Sequence, residues 1–273
     1  MIKILVLIIA FIASPAWAVS YGVYDLTDLK YEHSRNTDEV RSIASITKLF
    51  TAKAVIDSNV DLDEKIKVQG RSGGRFARGA MVERYELLRA TLMSSDNLAA
   101  ESLAHAHPGG YNKFLKDINE DISYMGLKNT VITDATGLLA SNQSTVEDLK
   151  EFLFGLRRYA LIKSLSAEKF YTYKYKKGKR TITIHLKNTN PQIWTYDEIV
   201  LTKTGYTSKA GRCLAMLVEK EGILYAVITL GNRDVRSRSA RIDELINEHI
   251  YANSASIKIN ATNTTEIEEW PTP

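Results

Sequence analysis

Ser45-Ile46-Thr47-Lys48 decides how this 273-residue chain is read. Ile46, Leu49, Phe50, Ala54 and Val55 recur at helical spacing, and the pattern stops at Ser58-Asn59, which predicts a helix beginning near Ser45. Residues three apart on a helix share a face, so Lys48 can reach the Ser45 hydroxyl. A serine is a poor nucleophile until a base takes its proton. A lysine can be that base only where burial and neighbouring cations penalise its charged form. The helix N-terminus also brings backbone N–H groups beside Ser45, where an oxyanion would develop. Taken alone, the same residues describe an ordinary N-cap serine and a surface lysine.

Two later triplets favour the chemical reading. Ser95-Asp96-Asn97 breaks a helical pattern that runs from Glu83 to Met93 and resumes from Leu98 to His105. A break there can point a hydroxyl and an amide into a cleft: Ser95 could relay a proton to a leaving nitrogen, and Asn97 could hydrogen-bond a substrate backbone. Lys203-Thr204-Gly205 ends an apolar run and is placed on a strand. Lys203 and Thr204 supply a cation and a hydroxyl suited to a free carboxylate. Gly205 would let a substrate backbone approach, and the Tyr206 N–H could be a second oxyanion donor opposite that of Ser45. Each triplet alone is weak; all of them, in order and on the expected elements, are a specific signal.

The remaining pattern sets the fold. Tyr21–Tyr24 and Leu29–Glu32 read as short strands, and Val60–Ala80 as a polar loop. A further helix spans Tyr111–Met125, and a capping box at Ser144-Thr145-Val146-Glu147 opens another that runs to about Tyr159. Phe170–Leu186, Ile199–Thr202, Cys213–Val218 and Ile223–Leu230 are strand candidates, and Glu244–Tyr251 sits in a closing helix. Strands, then helices, then strands and a helix predict an α/β (α+β) sandwich. Its central antiparallel sheet is formed by both ends of the chain, with helices on both sides and a helical region inserted.

Composition excludes other classes. Apolar residues are 44% and charged residues 25%, as in an ordinary globular protein. Residues 1–18 read as a secretory signal: Lys3, an apolar run from Ile4 to Ala13, and Ala16-Trp17-Ala18 as cleavage site. With Pro15, Ser20 and Gly22 interrupting the run, no stable membrane anchor is expected after cleavage. Residues 19–251 are then one catalytic domain, and the polar stretch 252–273 a disordered tail. A net charge of +4 is too small to argue for nucleic acid but suits weak attraction to an anionic wall polymer. The basic stretch from Tyr173 to Arg180 reads as a solvated hairpin. Cys213 is the one cysteine, so no internal disulfide forms, and its apolar surroundings predict a buried inert thiol. His105-Ala106-His107 lacks a third ligand, so no metal is expected. With no phosphate loop or dinucleotide fingerprint, neither is a cofactor.

Taken together, these residues resemble the low-molecular-mass penicillin-binding proteins, the serine D-alanyl-D-alanine peptidases. The resemblance runs from about Asp38 to Leu230 and includes Ile43–Leu49, Met93–Ala100, Asp134-Ala135-Thr136-Gly137-Leu138, Lys203–Thr207 and Ala210–Cys213. His107-Pro108-Gly109-Gly110-Tyr111 and the short stretch after Tyr251 look like the D-alanyl-D-alanine endopeptidase branch. The resemblance implies that Ser45 is acylated, Lys48 is its base, Ser95 the proton relay and Asn97 a substrate-positioning group. Lys203 and Thr204 would hold a carboxylate. It also implies a periplasmic location, peptidoglycan peptides as substrates and β-lactam antibiotics as covalent inhibitors. Endopeptidase and carboxypeptidase action stay open on site chemistry, because a terminal D-Ala and the D-centre of a diaminopimelate crosslink both offer a free carboxylate.

Two rivals share the motifs. A class A β-lactamase also needs a glutamate to activate the deacylating water. No E-x-x-L-N-like stretch lies between the second and third motifs, and the nearest look-alike, Asp243-Glu244-Leu245-Ile246-Asn247, follows Lys203. A non-catalytic penicillin sensor would be tethered to a signalling domain, which this sequence does not contain.

Overall fold

The two ends of the described chain, residues 19–252 of the computed structural model, meet in one sheet. In chain order the elements are β1 (Ser20–Asp25), β2 (Lys30–Arg35), β3 (Arg41–Ser42), a 3-10 turn (Ala44–Ile46), α1 (Thr47–Asp57), β4 (Lys65–Lys67) and β5 (Met81–Glu83). There follow α2 (Arg84–Met93), α3 (Asn97–His105), α4 (Gly110–Tyr124), β6 (Gln143–Ser144), α5 (Val146–Leu156) and α6 (Ala160–Ala167). The chain returns through β7 (Phe170–Lys177), β8 (Arg180–Lys187), β9 (Ile199–Thr207), β10 (Gly211–Lys220), β11 (Ile223–Asn232), α7 (Val235–Ile246) and a π-helical turn (Asn247–Tyr251). The expected leader and the tail from residue 253 lie outside the described residues. Among the described residues no helix is long and apolar enough to cross a membrane.

The sheet order is β2-β1-β11-β10-β9, with every pairing antiparallel. Side chains alternate across it with period two. Leu214, Met216 and Val218 of β10 and Val227 of β11 face α7, packing with Ile242, Leu245 and Ile246. Cys213, Ala215 and Leu217, with Ala226 and Ile228, face the inserted helices. Both faces are covered, so β10 and β11 read as unbroken apolar runs rather than as alternation. Each buried Leu or Ile contributes roughly 1.5–3 kcal/mol through burial, enough to fix the register wherever both faces are filled. Cys213 is buried, and burial pushes its thiol up to about 11.

Several local readings shift. The segment read as loop from Val60 to Ala80 contains β4, which pairs with β5 through Ile66 and Val82. The cap of α5 is Thr145, whose hydroxyl accepts from the Asp148 N–H at 3.0 Å, not Ser144. Ser144 is instead taken by the Thr130 hydroxyl at 2.8 Å. The helix expected to reach Tyr159 ends at Leu156, and α6 follows as a separate element. The closing helix starts well before Glu244, because Asp234 and Ser237 form a reciprocal capping box. The β7–β8 hairpin is a separate two-stranded sheet rather than part of the central one.

Candidate functional site

Ser45 lies in the 3-10 turn that leads into α1, one residue after Ala44, whose φ is +47°. Left-handed backbone at a non-glycine residue costs on the order of 1–3 kcal/mol and persists only where the surroundings impose it. Here they do so from two sides. A Cβ at Gly205 of β9 would meet the Ile43 carbonyl oxygen at 2.8 Å and the Ser45 nitrogen at 3.0 Å. A Cβ at Gly137 would meet the Ala44 carbonyl oxygen at 1.9 Å. Gly205 is therefore required by the approach of the Ser45 turn, a reason different from the approach of a substrate that the sequence suggested.

Lys48 is fully buried on the first turn of α1. Its Nζ lies 2.9 Å from Ser45 Oγ, 2.7 Å from Asn97 Oδ1 and 2.6 Å from the Thr136 carbonyl oxygen. Burial pushes the amine down to about 7, against the pull of the Asp134, Asp96 and Glu101 carboxylates. Burial is the leading cause, and among neighbouring cations Lys203 is the one that interacts with this amine. The three contacts can take the three N–H groups of the ammonium, with Ser45 Oγ accepting one of them. When the amine is neutral, two N–H groups suffice for the amide and carbonyl oxygens, which can only accept, and the lone pair is free for the Ser45 hydroxyl proton.

The Thr136 carbonyl is held by a turn whose role sequence reasoning missed. One Asp134 carboxylate oxygen accepts from the Thr136 N–H at 2.6 Å and the Gly137 N–H at 2.8 Å; the other accepts from the Leu139 N–H at 2.9 Å. The buried Asn142 amide donates to the Asp134 carbonyl and to Thr47 Oγ1, both at 2.9 Å, and the Thr51 hydroxyl donates to the Ala135 carbonyl at 2.7 Å. This turn is thereby fastened to α1 on the side that carries Lys48.

Ser95 has φ +57° and lies between two anchored neighbours. The Ser94 hydroxyl accepts from the Lys187 N–H and donates to the Lys187 carbonyl, both at 3.0 Å. Asp96 caps α3, accepting from the Ala99 N–H at 2.9 Å, and its second oxygen accepts from the Arg75 N–H at 2.6 Å. Such caps stabilise by about 1 kcal/mol. Asn97 is the first residue of α3, which is why its amide reaches down to Lys48 while Ser95 lines the cleft above.

The cleft has a volume of about 300 Å³ and is lined by Ser45, Ser95, Thr204, Gly205 and Tyr206, with Arg212 and Arg238 at its far side. Lys203 lies beneath, fully buried, with Nζ donating to the Thr204 carbonyl at 2.9 Å. Burial and then the Lys48 and Arg238 charges hold its pKa well below the usual lysine range. Arg238 of α7 is 3% exposed, and burial followed by the neighbouring Arg212 charge pushes it down to about 10. The Nε atoms of Arg212 and Arg238 are buried without a hydrogen-bond partner. Among the described residues no carboxylate forms an ion pair with Lys203, Arg212 or Arg238. Arg212 is half-buried with its guanidinium 3.6 Å from the Tyr206 ring centre, while Arg238 is a buried cation without a carboxylate partner among the described residues, a costly arrangement that an anion in the cleft would relieve. Arg212 and Arg238 were not foreseen; the Asp234-x-x-Ser237 cap, by placing Arg238 on the first turn of a helix, was the available signal.

The structure thus brings Ser45, Lys48 and Asn97 into direct contact and sets Ser95, Thr204, Gly205 and Tyr206 around the same cleft, with Lys203 under its floor. His105 and His107 diverge: His105 packs on Tyr111, and His107 Nε2 lies 2.9 Å from Asp117.

A strained serine turn, a buried lysine and a cationic cleft thus lie together between a five-stranded antiparallel sheet and an inserted helical region. A model of the D-alanyl-D-alanine carboxypeptidase family matches residues 17–234, and the chain belongs to that family of serine DD-peptidases. It is 40% identical over 204 residues to a D-alanyl-D-alanine endopeptidase of Escherichia coli (strain K12), covering 71% of this chain and 64% of that protein. A D-alanyl-D-alanine carboxypeptidase of Bacillus subtilis (strain 168) is 24% identical over 229 residues, covering 80% and 58%. The crystal structure of the Streptomyces K15 DD-transpeptidase superposes with a TM-score of 0.78 at 24% identity, over 84% of this chain and 94% of that one, and shares the fold.

Proposed function

We propose that this protein is an exported serine DD-endopeptidase that hydrolyses D-Ala–diaminopimelate crosslinks in peptidoglycan. The observation that carries the proposal is the 2.9 Å approach of Lys48 Nζ to Ser45 Oγ, with the amine's other contacts both acceptors. Ser45 Oγ attacks the D-Ala carbonyl carbon as Lys48 takes the hydroxyl proton. The backbone N–H groups of Ser45 and Tyr206 receive the oxyanion. The C–N bond breaks as Ser95 relays a proton to the leaving amine, and water then releases the acyl group from Ser45. Asn97 orients Lys48 and the substrate. Lys203, Thr204 and Arg238 hold the free carboxylate next to the scissile bond, supplying the countercharge these cations lack. β-Lactams acylate the same serine. Residues 19–251 are the catalytic unit, and export rests on the leader pattern at residues 1–18.

The carboxylate does not distinguish crosslink from terminal D-Ala. Preference for the crosslink is supported by the greater identity to a relative named as an endopeptidase than to one named as a carboxypeptidase. The test is incubation of the mature protein with purified dimeric and pentapeptide muropeptides. Conversion of dimer to monomer with the pentapeptide intact is the expected result; loss of terminal D-Ala from the pentapeptide with the dimer uncut overturns the endopeptidase reading.

A further inference from the structure

The β7–β8 hairpin is not used by the cleft chemistry, yet its composition is one-sided. From Phe170 to Lys187 there is no carboxylate, while Lys174, Lys176, Lys177, Lys179, Arg180 and Lys187 are all exposed. A ribbon that concentrates like charges repels itself, and the carboxylate lining the hollow beside Lys174 and Lys176, Glu83, is already bonded to Tyr173 and Lys65. The inner face already holds the hairpin in place: the Arg89 guanidinium lies 3.6 Å from the Tyr171 ring centre, and Tyr175 packs against Phe76 with ring centres 5.6 Å apart.

The outer face also carries flat apolar surface. Phe170 is 61% exposed and stacks on His185, with ring centres 6.0 Å apart and planes 16° from parallel. Trp194, 46% exposed, sits at the base of the hairpin with the Lys187 ammonium 5.2 Å from its ring centre. Exposed threonines are interleaved with these groups: Thr172 lies opposite His185, Thr183 opposite Lys174 and Thr181 opposite Lys176. This face is continuous with the cleft. Lys187 is bonded through its backbone to Ser94, Thr189 lies 2.6 Å from Thr204, and Thr189 and Pro191 line the cleft itself.

We propose that the outer face of the β7–β8 hairpin, with Trp194 at its base, is a docking track for the polymeric substrate: a glycan strand whose attached peptides carry carboxylates. The proposal rests on the DD-peptidase reading of the cleft. Sugar rings present C–H faces that stack on Trp194 and Phe170; hydroxyls meet the threonines; peptide carboxylates meet the lysines. Eight residues of strand extend roughly 25 Å, so the track spans several sugars and leads a crosslink into the cleft. An anionic bilayer fits less well, because the tip, Lys177-Gly178-Lys179-Arg180, offers no apolar side chain to insert. Contacts to a repeating polymer raise its effective concentration at the cleft, which makes the track matter for intact wall and not for a short soluble fragment.

The test compares the mature protein with two variants: Lys174→Glu/Lys176→Glu/Lys179→Glu, and Phe170→Ala/Trp194→Ala. Binding is read by co-sedimentation with purified, insoluble peptidoglycan sacculi, and cleavage by turnover of a soluble dimeric muropeptide. The expected result is a loss of sacculus binding on the order of tenfold in the charge-reversed variant, a weakening of wild-type binding by added salt, and soluble turnover unchanged in both variants. The aromatic variant should lose sacculus binding without losing its salt dependence. Equal sedimentation of wild type and both variants overturns the proposal, as does a matching loss of soluble turnover. Wild-type binding to phosphatidylglycerol vesicles or to duplex DNA as strong as to sacculi, and equally sensitive to the charge reversal, would assign the face to a lipid or nucleic acid instead. Failure of the wild type to cut the soluble dimer would contradict the cleft reading alone; sedimentation still decides the track.

Discussion

Ser45→Ala is expected to lower muropeptide turnover by a factor of about 10⁶, the scale seen when a catalytic nucleophile is removed from an acyl-transfer site. The substitution deletes one oxygen. Its neighbours stay in place, because Lys48 remains bonded to Asn97 and to the Thr136 carbonyl. The turn around it packs closely against Gly205 and Gly137, an approach that does not involve the side chain. Thermal stability should therefore change little while chemistry stops. Turnover of the dimeric muropeptide, with a melting curve of the same sample, separates the two. Residual activity within tenfold of wild type would mean that another group attacks.

Lys48→Ala is expected to slow acylation by about 10²–10⁴, the contribution of a positioned general base. The wild-type rate should follow the ionisation of the amine. Only the neutral form has a lone pair for the Ser45 proton. With the folded pKa held at about 7 by burial, acylation should rise with pH through neutrality and level off above it. Below that point the rate should fall about tenfold per pH unit, as expected for one essential deprotonation. Stopped-flow acylation by a fluorescent penicillin between pH 5 and pH 9 checks this. A rate that is flat across that range, or that rises as pH falls, contradicts the assignment of Lys48. Lys48→Arg provides a second check, since a guanidinium stays protonated and cannot act as the base.

The parts of this site that could be read in the sequence are those where a side chain does the work and its spacing is set by an element. Ser45 and Lys48 share a helical face, and Asn97 starts the helix after a visible break. Backbone groups leave no such trace. The Thr136 carbonyl holds Lys48 as closely as Asn97 does, yet any residue could supply it. Only the Asp134-x-x-Gly137 pattern, an aspartate followed by a glycine in left-handed backbone, hinted at a turn built to aim it. Gly205 was legible as a close-approach position, but whether protein or ligand approaches is settled only by tertiary packing. Arg238 was hidden by distance in sequence: it reaches the cleft because α7 packs back on the sheet through Ile242 and Leu245. The same logic explains the fold. Strands buried on both faces were visible as apolar runs. The three-residue pair β4 and β5 was not, because three residues are too short to show an alternating pattern.

Peptide mapping by mass spectrometry of the wild-type protein after brief exposure to benzylpenicillin tests the account most directly. A single penicilloyl adduct on Ser45, formed stoichiometrically near pH 8 and much more slowly at pH 5, is the expected outcome. An adduct on Ser95 or any other residue, or no adduct in folded protein, would contradict it.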